Sequence, residues 1–361
     1  MTDASGGESS DRRGAEEVVR VLKEAGHEAF FAGGCVRDLV LGLRPKDYDV
    51  ATSAHPDAIA RLFRRTKQMG AAFGVVQVQL QGHAYEVATF RDDGAYTDGR
   101  RPDAVRFADT VEEDVARRDF TINALMMDPF SGRVVDLVEG QADIAAGLVR
   151  AVGEPDCRFA EDRLRMLRAV RFAARFGFRI ERRTERAIVA HASEVGAVSV
   201  ERIVGELDAM FAGPRPEEAV KLLDGLGLAA RAIPFLPRAP EARVARFGPF
   251  AQHAWRELPR EDRLTAAWAF LLGDATDAEA DLRPMRASKE RMRRVQLLLD
   301  RRDMLVDARA APAVWTRIAA DEPVALMLAY AEGLGAADGA ERLRAAASDL
   351  RARPLPGRRP A

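Results

Sequence analysis

The sequence predicts an α+β fold: a head built on a small mixed sheet, followed by an all-α neck, body and tail. Three observations carry that expectation. Short apolar or alternating runs of strand length recur at 29–32, 47–52, 75–80, 84–90 and 134–137, with helical stretches among them. Beyond about Pro155 the apolar residues recur at helical spacing almost to the end. Gly213-Pro214-Arg215-Pro216 then breaks the helical part in two. The expected divisions are a disordered lead-in at 1–14, a head at 15–154, a neck at 155–212, a body and tail at 213–352 and a disordered basic end at 353–361.

Val18, Val19, Leu22 and Ala25 give a helix over 15–25 its apolar side, and Gly26 stops it. Ser9, Ser10 and Asp11 are candidate caps ahead of it. A buried strand at 29–32, a short helix at 36–41 ended by Gly42, and a strand at 47–52 follow. His55-Pro56-Asp57 opens a helix that runs to Phe63. The alternating strand at 75–80 turns at Gln81-Gly82 and returns antiparallel at 84–90. Residues 91–107, rich in charge, Gly and Pro, read as a loop. A strand at 134–137 and a helix opening at Gly140 complete the head, which closes at 148–152. In the neck 161–172 reads as one helix, Ser199 as the cap of the next, and 217–226 as a short third. Body helices are expected over 260–272, 289–305, 313–320, 323–333 and 341–351, with Trp255, Trp268 and Trp315 in their core.

A chain of 361 residues suggests two or three domains, and 47% hydrophobic with 31% charged residues allows both a sizeable core and a soluble surface. The formal net charge of -1 excludes a globally basic protein, so any nucleic-acid surface must be local. Two cysteines, Cys35 and Cys157, are too few for a disulfide framework or a cysteine-rich zinc site. No apolar run approaches the ~20 residues that span a membrane, and the N-terminus lacks a hydrophobic signal core. A cytoplasmic location is the expectation.

The stretch that organises the chain is Gly33-Gly34-Cys35-Val36-Arg37-Asp38 followed by Lys46-Asp47-Tyr48-Asp49. Alternate side chains on a strand share a face, so Asp47 and Asp49 would project together. Like charges held close repel unless a cation lies between them, which points to a divalent metal. Gly33 and Gly34 permit close approach of backbone to a triphosphate, and Arg37 can hold a phosphate with its forked guanidinium. Glu86, mid-strand among apolar and aromatic neighbours, is the candidate third acid; the alternative is an acid on the solvent face of an edge strand.

Two further groups carry recognition chemistry. Arg117-Arg118-Asp119-Phe120-Thr121-Ile122-Asn123-Ala124 places Asp119 and Asn123, which can hydrogen-bond sugar hydroxyls, beside arginines that can pair a phosphate oxygen. Within 159–178, on the helix expected over 161–172 and just beyond it, Met166, Leu167, Val170, Ala173 and Ala174 form the buried side. From Arg158 to Arg186 ten arginines face four acids, a local basic patch. Asp162 and Arg165 stand three apart, neighbours on a helix surface. A carboxylate accepts and a guanidinium donates, which suits the amino donor and ring-nitrogen acceptor shared by cytosine and adenine, and opposes uracil and guanine. The alternative is an intrahelical ion pair worth ~0.2–0.5 kcal/mol.

Gly-Gly-x-Val-Arg-Asp, Leu-Gly-x-x-Pro-x-Asp-x-Asp, Arg-Arg-Asp-Phe-Thr-x-Asn-Ala and Glu-Asp-x-x-Arg, in that order, are similar to the motifs of the class II tRNA nucleotidyltransferase (CCA-adding) and bacterial poly(A) polymerase family. The resemblance covers roughly 30–207 and fades from about Leu228. It implies a polymerase-β-like nucleotidyltransferase head. The implied reaction transfers CMP or AMP from CTP or ATP to the 3′-hydroxyl of tRNA without a nucleic-acid template. Asp47 and Asp49 would hold two Mg2+, with Glu86 as a third catalytic acid. Gly33, Gly34, Arg37, Arg117 and Arg118 would hold phosphates, while Asp119 and Asn123 read the ribose. Asp162 and Arg165 would read the base, with Arg168 and Arg171 supporting them or reaching the triphosphate. The motif Ser199-Val200-Glu201-Arg202-Ile203 with Glu206-Leu207 would support that helix.

The resemblance leaves rivals open: an enzyme adding only A, a poly(A) polymerase, or a catalytically inactive RNA-binding relative. In the family a mobile loop at 91–107 serves A addition, and here it has full length, which disfavours an enzyme adding only C. Gly70-Ala71-Ala72-Phe73-Gly74 lacks the basic pair of a poly(A) polymerase signature. No His is followed by Asp, so a His-Asp phosphohydrolase module is not signalled. Residues 283–303 hold eight basic residues against three acids, either a contact for tRNA phosphates or a solvated helix face.

Overall fold

The computed structural model of the chain describes residues 5–69, 74–93, 105–233, 254–273 and 275–352. Two compact units emerge. One runs to Arg165 and takes in 178–191; the other comprises 166–177 and the chain from Ala192 onward. Residues 155–165 and 178–191 therefore belong with the sheet, beyond the expected head boundary at 154.

The first unit opens with helix α1 (Ser5–Glu24), followed by β1 (Ala29–Ala32) and α2 (Gly34–Val40). Residues 5–14, expected to be disordered, are thus helical, and Ser9, Ser10 and Asp11 lie inside α1 instead of capping it. The reason is a tertiary contact. The Tyr85 hydroxyl donates to the Asp11 carbonyl at 3.0 Å, and Gly14 makes room for the ring: a Cβ there would lie 2.1 Å from Tyr85 Oη.

Next come β2 (Val50–Thr52), α3 (Pro56–Leu62), β3 (Thr66–Gln68), β4 (Val75–Leu80) and β5 (His83–Thr89). β2 is shorter than expected, so Asp47 and Asp49 precede it, although Ala32 N still donates to Asp49 O at 3.0 Å. Then β6 (Arg91–Asp93) pairs antiparallel with β7 (Val105–Phe107). The ends of the stretch expected as a loop are therefore strands; residues 94–104 lie outside the described residues, as do 70–73. The unit continues through α4 (Val111–Ala116), a 3-10 turn at Thr121–Asn123, β8 (Met126–Met127), β9 (Val134–Val135) and α5 (Gly140–Ala146).

Seven strands form one mixed sheet in the order β3-β4-β5-β2-β1-β8-β9. Its neighbours are antiparallel except β2 and β5, which run parallel with Val50 opposite Val87. α1 packs on β1, β2 and β5 through fully buried Ala15, Val18, Val19 and Leu22. A core cluster of Phe30, Ala32, Ala51, Phe90, Val111, Val115, Ala124 and Met126 joins the sheet to α4 and the 3-10 turn.

The remaining short elements are β10 (Leu148–Val149), α6 (Pro155–Glu161), α7 (Leu164–Phe176), β11 (Arg179–Ile180) and α8 (Arg182–His191), with β10 and β11 paired in parallel. The single helix expected over 161–172 is therefore interrupted near its start: α6 ends at Glu161 and α7 begins at Leu164. Asp162 is extended, with φ -147° and ψ 103°, and its Oδ1 accepts from Leu164 N at 3.1 Å. That local turn competes with continuation of the helix.

The second unit is helical. It holds most of α7, then α9 (Val200–Phe211), Pro216–Gly225, Arg260–Leu272, Lys289–Asp307, Pro312–Asp321, Val324–Gly333 and Ala337–Ala352. Ser199 sits at the N-cap of α9, but its side chain makes no capping bond. Trp255, Trp268 and Trp315 are buried as expected. Trp268 stands edge-on to Phe211 and donates to Asp208, which also accepts from Arg291 at 2.9 Å. The C-terminal stretch 353–361 lies outside the described residues.

Candidate active site

The two carboxylates keep the alternation that a strand would give them. Asp47 and Asp49 are exposed, while Tyr48 between them is buried against Phe31, ring centroids 5.2 Å apart. On the far side of β2 the parallel register puts Glu86, one residue before Val87, across from Asp49, one residue before Val50. β5 is an inner strand, so the edge-strand alternative for Glu86 does not hold. Glu86 lies on its exposed side, between buried Tyr85 and Val87.

These three acids crowd one another. The Asp49 carboxyl is pushed up to about 6 by burial among protein atoms and by the charges of Asp47 and Glu86, with Arg118 pulling the other way. Among the described residues no three His, Cys, Asp or Glu side chains are arranged to hold a metal by themselves. Two hard carboxylates beside a Gly-Gly turn nevertheless suit a Mg2+-class ion, which is commonly bound through one or two carboxylates with substrate phosphates completing its shell.

Gly33 makes the turn between β1 and α2 at φ 69°, and its N–H donates to Leu125 O at 2.9 Å. The turn leaves room for Arg118: a Cβ on Gly33 would sit 2.9 Å from its NH1. Arg37 is not presented as an exposed phosphate clamp. It is buried, its Nε and NH2 donate to Asp38 Oδ1 at 2.9 and 2.7 Å, and its NH1 donates to Asn123 Oδ1. Arg37 thus orients Asn123, whose Nδ2 donates to Asp119 Oδ1 at 3.1 Å. Asp119 also accepts from Phe120 N at 2.8 Å. The Asp–Asn pair is held as one rigid unit beneath the Gly33 turn.

Arg117 and Arg118 converge on Asp114, a residue the sequence reading missed. Each of its oxygens takes one guanidinium: Arg117 Nε lies 3.1 Å from Oδ1, and Arg118 NH2 lies 2.8 Å from Oδ2. Burial alone would raise the Asp114 carboxyl, but Arg118 and Arg117 outweigh it and hold it below the usual carboxylate range. Spacings of three and four to the arginines were the available signal.

Asp162 and Arg165 are not paired on one helix face. Arg165 is buried and donates from NH1 to Glu161 Oε2 at 2.7 Å and from NH2 to Arg117 O at 3.3 Å. Glu161, also missed, accepts from Arg158 as well, at 3.0 Å. Asp162 uses one oxygen to start α7. Arg168 and Arg171 belong to the second unit, where both meet Glu206 of α9: Arg171 Nε at 2.6 Å and Arg168 NH1 at 3.7 Å.

The mixed sheet thus carries paired carboxylates just beyond a Gly-Gly turn, with a buried, hydrogen-bonded Asp119–Asn123 pair near that turn. Residues 29–150 match the family model described as poly A polymerase head domain, and 177–239 match the one described as probable RNA and SrmB-binding site of polymerase A. A CCA-adding enzyme of Geobacillus kaustophilus is 45% identical over 268 residues, covering 74% of this chain and 63% of the relative. One from Geobacillus thermodenitrificans is 48% identical over 211 residues, covering 58% of this chain and 52% of the relative. The chain thus spans between half and two thirds of the length of these relatives. The crystal structure of the Bacillus stearothermophilus CCA-adding enzyme in complex with CTP superposes with a TM-score of 0.77 at 31% identity, covering 94% of this chain and 82% of that one. The chain belongs to the family of tRNA nucleotidyltransferases and bacterial poly(A) polymerases.

Proposed function

We propose that the protein transfers CMP and AMP from CTP and ATP to the 3′ end of tRNA, building or repairing its CCA terminus. The observation that carries this reading is that Asp47 and Glu86 both act on the Asp49 carboxyl, with Arg118 opposing them, close to the Gly33 turn and the hydrogen-bonded Asp119–Asn123 pair. Asp47 and Asp49 would hold Mg2+, which supplies activation of the 3′-hydroxyl and charge neutralisation on the triphosphate. Glu86 adds a third carboxylate beside Asp49, placed to complete that shell or take the hydroxyl proton. The Gly33 and Gly34 backbone with Arg117 and Arg118 would cradle phosphates, and Asp119 and Asn123 would select ribose. Arg37 acts through Asn123.

Base choice falls to Asp162 and Arg165, with Glu161 and the Arg117 carbonyl fixing the guanidinium. Arg168 and Arg171 are tied to Glu206 within the second unit. The head at 15–154 would carry the chemistry, the neck at 155–212 base recognition, and the body at 213–352 the tRNA. A cytoplasmic enzyme is in keeping with this substrate; among the described residues no helix is long and apolar enough to cross a membrane.

The test uses three tRNA transcripts: one lacking CCA, one lacking only the final A, and one complete. With labelled CTP or ATP supplied separately, the first should take C, the second A, and the third nothing. A-tailing of the complete transcript would instead make the protein a poly(A) polymerase, and A alone on the second transcript an A-adding enzyme.

A further inference from the structure

Thr121 opens the 3-10 turn that separates Asp119 from Asn123, and it is held from three sides. Its hydroxyl donates to Asp143 Oδ2 of α5 at 2.7 Å, and its N–H donates to Arg150 O at 2.9 Å. The Arg150 guanidinium closes the ring by clamping Asp143, with Nε 2.9 Å from Oδ2 and NH2 2.9 Å from Oδ1. The third contact is steric: a Cβ on Gly140, where α5 begins, would lie 2.3 Å from Thr121 O. Thr121 and Asp143 are both buried, and Arg150 is partly exposed.

We infer that Thr121, Asp143 and Arg150 form a positioning clamp that holds the Asp119–Asn123 pair in the geometry that reads the nucleotide sugar, and so sets the choice of ribonucleotide over deoxyribonucleotide. The inference rests on the reading of that pair as the ribose selector given above. A three-residue 3-10 turn has poor hydrogen-bond geometry of its own, so contacts from outside it decide its shape. Arg37 fixes the Asn123 amide from one side through its contact with Oδ1. The clamp fixes the backbone from which Asp119 and Asn123 both spring. Val152 N donates to Asp119 O at 3.1 Å, next to the Phe120–Ala151 bridge and the Thr121–Arg150 bond.

The chemistry of the clamp suits orientation more than stability. A buried carboxylate and its guanidinium gain little over an apolar pair of the same volume, but a forked, two-bond contact admits one geometry. Asp143 passes that geometry to the Thr121 hydroxyl. Hydrogen bonds weaken steeply as their angle and distance depart from the optimum. A shift of the turn therefore costs a ribonucleotide its bond to the pair, whereas a deoxyribonucleotide, with no 2′-hydroxyl, has no such bond to lose. All three residues act through the pair: they are positioning residues, not catalytic ones.

The test is Thr121→Val in the full chain, which keeps the shape of the side chain, removes the hydroxyl and leaves the Asp143–Arg150 pair intact. Kd for CTP and for dCTP is measured with Mg2+ by equilibrium dialysis. The preference for CTP over dCTP should shrink about fivefold, the worth of one hydrogen bond, because CTP affinity falls toward that of dCTP. Thr121→Ser, which restores the hydroxyl, should restore the preference, and Asp143→Asn, which breaks the fork, should reduce it as Thr121→Val does. An unchanged preference in Thr121→Val or Asp143→Asn, a parallel loss of affinity for both nucleotides, or no recovery in Thr121→Ser would each overturn the clamp. Asp119→Ala separates the clamp from the reading on which it rests. An unaltered preference in Asp119→Ala sinks the ribose reading of the pair; a preference lost in Asp119→Ala and kept in Thr121→Val sinks the clamp alone.

Discussion

Glu86 stands across from Asp49 in the register of the parallel β2–β5 pairing, and its charge and that of Asp47 add to burial in raising the Asp49 carboxyl. A carboxyl raised from 3.8 to about 6 contributes stability that is complete below 3.8 and lost as pH rises through 6. In the metal-free protein Glu86→Gln should therefore move the Asp49 titration down toward the ordinary value and weaken the fall in stability across that window. Carboxyl NMR reads the first and chemical denaturation at several pH values the second. Turnover should drop by roughly a hundredfold or more, the usual scale of a lost acid–base group. An Asp49 titration that does not move would mean that Glu86 points away from it.

Asp114 decides where Arg117 and Arg118 point. Asp114→Asn removes the carboxylate that both guanidinium groups share, and should cost on the order of 2–3 kcal/mol at neutral pH. The wild-type carboxyl is depressed, so its contribution is present above the ordinary carboxylate value and lost as pH falls through the folded one. The gap between variant and wild type should accordingly narrow on acidification, and KM for the nucleoside triphosphate should rise more than kcat falls.

Asp162→Ala removes an oxygen that starts α7 and, on the proposed function, the acceptor that reads the base. It should cost about 1 kcal/mol of stability. It should also relax discrimination of CTP and ATP over UTP and GTP by roughly tenfold to a hundredfold, the scale of one buried polar group left unpaired. Competition between labelled nucleotides checks this, and unaltered selectivity would remove Asp162 from base recognition.

Gly14→Ala pushes a methyl group into the buried Tyr85 ring and should destabilise the protein by about 1–3 kcal/mol. Because Tyr85 anchors Asp11, hydrogen exchange should quicken first in the N-terminal half of α1, with the sheet following only at global unfolding.

The sheet was largely legible because Val75–Leu80 and His83–Thr89 alternate cleanly, with Gln81-Gly82 between them. Thr66–Gln68 was not, since a polar three-residue edge strand carries no apolar pattern. The early start of α1 depends on Tyr85, seventy-four residues away from Asp11, and no local signal announces it. The break at Asp162 hides among good helix formers, because the decision there lies in a side-chain bond to Leu164 N. At the candidate site, the exposure of Asp47 and Asp49 on either side of buried Tyr48 follows their spacing. The burial of Arg37, and the roles of Asp114 and Glu161 in holding arginines, appear only once the 3-10 turn and α6 are in place.

The central claim is metal-dependent transfer with the base chosen by the protein. It is tested most directly by incubating the protein and an RNA with a free 3′ end with Mg2+ and each labelled nucleoside triphosphate in turn, beside Asp47→Ala. CMP and AMP should be incorporated, UMP and GMP should not, and the variant or added chelator should abolish the signal. No incorporation by the wild type, or equal incorporation of all four nucleotides, would contradict it.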